Sequence, residues 1–134
     1  MRIDQYGTDL AAYRDDAHLA AWQPHNIEGH AWEAFTCLWR GEATTLDGLC
    51  QKLERRGYCR DEYGQALQDL MWRGWVTEEA GELSVTVLGR EIRGAVEEAT
   101  DQTFYAPWSC LSRGETEELR TLLNLLCDGL RPES

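Results

Sequence analysis

The chain has 134 residues, 43% hydrophobic and 28% charged, with 13 Lys/Arg against 24 Asp/Glu and a formal net charge of -11. These values fit a single globular domain with a modest core and exclude a long disordered chain, and a domain of this size leaves long terminal helices to be covered by a second copy. Acidity is spread along the chain, -2 over residues 1–27, -4 over 28–94 and -5 over 95–134, so the field repels phosphate backbones unless cations gather locally.

From Thr8 to about Trp22 the apolar residues Leu10, Tyr13, Ala17, Ala20 and Ala21 fall at three- and four-residue intervals, which predicts a helix ended by Pro24. A second helix is expected from Glu28 to Trp39, with Ala31, Phe35 and Leu38 on one stripe, Trp32 and Trp39 on its flank, and Gly41 closing it. Thr44 or Thr45 can cap a third helix whose apolar face is Leu46, Leu49, Cys50 and Leu53 and whose end is marked by Arg55, Arg56 and Gly57. After a short turn, a fourth helix from Arg60 to Arg73 is expected to bury Tyr63, Ala66, Leu67, Leu70 and Met71. Two short helices with a turn between them form a helix-turn-helix.

Gly74 stops that helix, and Trp75-Val76-Thr77 opens an extended segment that turns over Ala80-Gly81 and returns as Leu83 to Val87, where apolar and polar residues alternate. Leu88, Ile92, Ala95, Val96 and Ala99 mark a long helix to about Phe104, interrupted or followed by Pro107. Ser112-x-x-Glu115 has the form of a capping box, and Leu119, Leu122, Leu123, Leu126 and Leu130 form an apolar stripe on the last helix, too wide for an isolated surface helix. The expected fold is therefore mainly α. It is one winged helix-turn-helix domain over residues 1–134, with its core at 28–94, a short β-wing, and flanking segments 1–27 and 95–134 whose long helices pair two copies.

Leu70-x-x-Arg73-Gly74-Trp75-Val76 resembles the end of the recognition helix and the first wing strand in the MarR family of winged-helix regulators. Val85-Thr86-Val87-Leu88-Gly89-Arg90 resembles that family's strand leading into a helix, and Leu111 to Leu130 resembles its final dimerisation helix. The resemblance covers roughly residues 30–130. It implies a homodimeric regulator of transcription that binds double-stranded DNA. The run Arg90 to Trp108, with Glu97-x-x-Thr100-Asp101 and Pro107-Trp108, is also similar to the terminal winged-helix part of larger actinobacterial proteins of uncertain function. That similarity bears on fold more than on function.

In such a fold Lys52, Arg55, Arg56 and Arg60 would meet phosphates at the helix-turn-helix corner, while Gln65 and Gln68 suit base reading, because glutamine pairs with adenine N6 and N7. A solvated helix end explains the four cations equally well. The expected wing, Thr77-Glu78-Glu79-Ala80-Gly81-Glu82, carries three acids and no base where the family usually places arginine. A second reading is therefore an acidic winged-helix module that binds a ligand or a protein and not DNA. Trp22, Trp32, Trp39, Trp72, Tyr105 and Trp108 could line a crevice between the winged helix and the terminal helices, suited to a small aromatic or apolar effector; core packing is the plainer explanation.

His18, His25 and His30 match no metal-ligand spacing, adjacent carboxylates such as Asp15-Asp16 give no two-carboxylate geometry, and no phosphate-binding loop or nucleophile elbow is present. Neither an enzyme nor a metal or other cofactor is expected. Five cysteines (Cys37, Cys50, Cys59, Cys110, Cys127), odd in number and without a C-x-x-C pair, predict reduced, mostly buried thiols, with an accessible low-pKa redox sensor as the alternative. No apolar run approaches the ~18 residues of a membrane span, and the start from Met1 to Tyr6 lacks a signal-peptide layout, so a cytoplasmic protein is expected.

Overall fold

A computed structural model describes residues 3–130, with side chains from Gln5 onward; Met1 and Arg2, on which the reading of the chain start partly rests, lie outside it. Six helices and one hairpin follow in the order α1 (Ile3–Trp22), α2 (Gly29–Trp39), α3 (Leu46–Lys52), α4 (Arg60–Trp72), β1 (Val76–Glu79), β2 (Glu82–Val85), α5 (Val87–Tyr105) and α6 (Arg113–Gly129). This is the winged helix-turn-helix. The first helix begins five residues earlier than the apolar spacing predicts, because Gln5 and Asp9 join its exposed face through a side-chain hydrogen bond of 2.9 Å.

Helix ends follow local chemistry. The Thr45 hydroxyl accepts from Gly48 N–H at the start of α3, and Thr86 does the same for Gly89 at the start of α5. Ser112 and Glu115 close a reciprocal capping box on α6. Gly41, Gly57 and Gly74 stop their helices or turns in the left-handed region, at φ of 71°, 80° and 74°. Pro107 follows α5 within a 3₁₀ turn over Ala106–Cys110 and does not break the helix.

Phe35, Leu49, Tyr63, Leu70 and Val96 are fully buried at the centre of the core, which Trp32, Trp75, Val76, Leu83 and Val85 complete. The strands pair antiparallel, Val76 opposite Val85 and Glu79 opposite Glu82. Ala80 and Gly81 both take positive φ, the geometry of a tight two-residue hairpin turn. The start of α5 presses on the chain before the wing: a Cβ on Gly89 would lie 2.2 Å from the Trp75 carbonyl oxygen. Thr86 fixes the same corner by donating its hydroxyl to Gly74 O at 2.6 Å.

α1 packs along α5. The Tyr13 hydroxyl donates to Thr103 O at 3.1 Å, and Arg14 pairs with Asp101 at 2.9 Å. α6 buries none of its residues. The thiols depart from expectation: Cys37 is buried and Cys50 half-buried, but Cys59, Cys110 and Cys127 are exposed. Cys59 precedes α4, Cys110 sits in the 3₁₀ turn and Cys127 on α6, and none of those places belongs to the core. No helix is long and apolar enough to cross a membrane among the described residues.

Candidate nucleic-acid interface and inter-helix crevice

α4 buries Tyr63, Ala66, Leu67 and Leu70. At about 100° per residue, the opposite stripe is Asp61, Gln65, Gln68 and Trp72, all exposed. The two glutamines therefore share one outward face. Arg73 anchors the C-terminal end of the helix by donating to the carbonyls of His25 and Asn26, both at 2.9 Å, and by pairing with Asp69 at 2.7 Å. At the N-terminal end the Glu62 carboxylate accepts from Cys59 N–H at 2.7 Å, and this hydrogen bond holds its pKa below the ordinary range.

The four corner cations differ in freedom. Lys52 lies 3.8 Å from Glu42, Arg56 pairs with Glu33, and Arg60 pairs with Asp47. Arg55 is exposed and pairs with no carboxylate among the described residues. The wing presents exposed Glu78, Glu79 and Glu82 at its tip.

The expected aromatic crevice divides. Trp22 and Trp32 stack with ring centroids 5.7 Å apart and border a cavity of about 520 Å³ between α1, α2 and α5. Trp72 instead stands on the outer stripe of α4, 86% exposed. Tyr105 and Trp108 cluster with Phe104 at the far end of α5, about 18 Å along the helix from Arg93 at 1.5 Å per residue. Trp39 is partly exposed on the rim of α2.

The cavity is also more polar than expected: Arg14, Arg40, Arg56 and Arg93 face Asp15, Glu33 and Glu97. Arg93, 1% exposed, is its deepest cation. Its guanidinium donates to Thr36 Oγ1 at 3.3 Å and to Glu97 at 2.6 Å, and lies over the rings of Trp32 and Trp39 at 5.4 and 4.6 Å. Sequence reasoning missed it, although Gly89, Arg93, Val96 and Thr100 recur at intervals of four, three and four, which puts an arginine on the buried face of α5.

His18 joins three helices. Its Nε2 accepts from Trp32 Nε1–H at 3.3 Å, so its Nδ1 carries the proton toward Thr100 Oγ1 at 3.1 Å, and Thr100 in turn donates to Val96 O. Burial, reinforced by the Arg93 charge, pushes the His18 pKa down. His25 stacks on Trp32 and His30 on Tyr58, so all three histidines serve aromatic packing. No group of three or more His, Cys, Asp or Glu positioned to hold a metal occurs among the described residues.

This architecture shares its winged helix-turn-helix fold with solved MarR family proteins and other transcriptional regulators. MepR, a transcription regulator of the Staphylococcus aureus multidrug efflux pump MepA, superposes with a TM-score of 0.70 at 13% identity, covering 97% of this chain and 100% of its own. A transcriptional regulator from Thermotoga maritima reaches 0.79 at 13% identity, with 95% and 92% covered. A MarR family protein of Mycobacterium tuberculosis, solved in complex with DNA, reaches 0.61 at 14% identity, with 94% and 98% covered. The chain belongs to a helix-turn-helix family, which matches residues 10–133. No curated protein matches it in sequence.

Proposed function

We propose that the protein is a dimeric, cytoplasmic transcriptional regulator that inserts α4 into the major groove of double-stranded DNA. The observation that carries this reading is the outward stripe of α4, where Gln65 and Gln68 stand opposite a fully packed face. Arg55, the unpaired cation in the 3₁₀ turn Glu54–Arg56 that follows α3, supplies a phosphate contact, and Lys52, Arg56 and Arg60 join it by exchanging Glu42, Glu33 and Asp47 for phosphate. Family membership and the DNA complex of the Mycobacterium tuberculosis protein support the same assignment.

Two copies pair through α6, whose stripe of Leu119, Leu122, Leu123, Leu126 and Leu130 has no buried member within one chain and leaves Leu122, Leu123 and Leu130 exposed. The crevice between α1, α2 and α5 holds a small effector. Trp22 and Trp32 favour a planar aromatic molecule, and the four arginines favour one that carries an acid group over a purely apolar one. An effector wedged there shifts α2 against α1 and α5, and so changes the spacing of the two recognition helices; it acts only as far as it prefers one spacing.

The test is fluorescence anisotropy of labelled DNA flanking the protein's own gene, at low and physiological salt, against unrelated competitor. Competition-resistant binding that falls steeply with salt is expected. The acidic wing tip, Glu78, Glu79 and Glu82, favours the second reading of a module that does not bind DNA. Absence of binding even at low salt would establish that one.

A further inference from the structure

Trp72 is the last residue of α4 and the most exposed of the large apolar side chains among the described residues. Its indole makes no ring contact or hydrogen bond among them, although Trp22, Trp32, Trp39, Trp75 and Trp108 all touch another ring or an arginine. A tryptophan left in water is unusual, and its burial is available only in a complex. Asp61, Gln65, Gln68 and Trp72 follow at intervals of four, three and four, so the indole continues the stripe that carries the two glutamines. It stands one turn, about 6 Å, beyond Gln68.

We propose that Trp72 is an apolar DNA contact, packing on deoxyribose rings and thymine methyl groups where α4 leaves the major groove. This rests on the DNA-binding reading above. The electrostatics explain why this chain needs such a contact. Three of its four corner cations are drawn to Glu42, Glu33 and Asp47, and the wing tip adds three acids and no base. Each of those three cations must give up its carboxylate before it meets a phosphate, and an apolar anchor adds affinity that salt does not screen. Thymine methyls are the apolar groups the major groove displays, and the sugars line its edge.

The experiment compares wild-type, Trp72→Ala and Trp72→Phe by anisotropy across a salt series, on the flanking DNA and on the same DNA with deoxyuridine replacing thymidine. Because the side chain is exposed, all three proteins are expected to melt at the same temperature. Trp72→Ala weakens binding about tenfold at every salt concentration with the log–log salt slope unchanged, and Trp72→Phe recovers most of the loss. If deoxyuridine weakens the wild-type but not Trp72→Ala, the methyl group is the partner; if it weakens neither, the sugar is. Wild-type affinity and sequence preference in Trp72→Ala would overturn the proposal while leaving the DNA-binding reading intact. A wild-type protein that binds no DNA would overturn both.

Discussion

Arg55 and Arg56 are adjacent in sequence yet differ in what holds them. Arg56 is tied to Glu33 and borders the crevice, whereas Arg55 points into solvent. Replacing Arg55 with alanine is expected to weaken DNA binding on all sequences and to lower the log–log salt slope by about one, since one phosphate contact is lost. Adding Arg56→Ala lowers the slope further, while Gln65→Ala shifts preference between sequences and leaves the slope unchanged; anisotropy on two probes across a salt series separates these outcomes. A slope unchanged in the double arginine variant would remove this docking mode. Arg93 belongs to stability. Its guanidinium fills the space between Trp32 and Trp39 and satisfies Thr36 and Glu97, so Arg93→Ala is expected to cost about 2 to 4 kcal/mol in urea unfolding.

Between elements, the junction of α1, α2 and α5 turns on His18. Its neutral ring accepts from Trp32 and donates to Thr100; a protonated ring would have two donors facing each other at Nε2. Arg14 and Arg93 oppose the proton, and Glu97 and Asp15 favour it without reversing the direction. A folded pKa below the ordinary 6.5 means that the unfolded chain binds the extra proton first. This contribution to stability is therefore full above about pH 6.5 and is lost as the pH falls below it, levelling only beneath the folded pKa. Thermal melts from pH 8 to 5 should show that decline, and His18→Gln should flatten it. At the next junction, Gly89→Ala is expected to destabilise by about 1 to 3 kcal/mol, because the added methyl meets the Trp75 carbonyl and Val85. The helix boundaries at Thr45, Gly57, Gly74 and Ser112 were legible in the sequence because caps and left-handed glycines act within four residues, whereas Thr86 and Val87, read as the end of the returning strand, instead cap and open α5. The crevice was not. Arg14 with Asp101 and His18 with Thr100 lie 87 and 82 residues apart, and only packing brings them together. Trp72 was read as a crevice aromatic, although the buried face expected for α4 already turns it outward at 100° per residue.

At the scale of the molecule, one chain is an unfinished object. α6 is capped at its start and apolar along one side, yet Leu122, Leu123, Leu125 and Leu130 are about half or more exposed. α1 adds Tyr6, Leu10, Tyr13 and Leu19, all exposed. Apolar surface on this scale marks an interaction site, and the proposed pairing with a second copy would cover it without any further partner. The net charge of -11 opposes that association, so the contact must be driven by apolar burial, and raised salt should strengthen it by screening the repulsion. DNA binding has the opposite dependence, which lets a salt series distinguish the two steps in one preparation. Leu122→Asp or Leu126→Asp would bury an unpartnered carboxylate in the interface, and sedimentation is expected to give a monomer at concentrations where the wild-type is a dimer. The helices and the wing should remain folded in these variants, because α6 contributes nothing to the core of its own chain. DNA affinity should then fall to that of a single half-site, with the recognition helix intact but no longer paired. A variant that still sediments as a dimer would move the interface to α1.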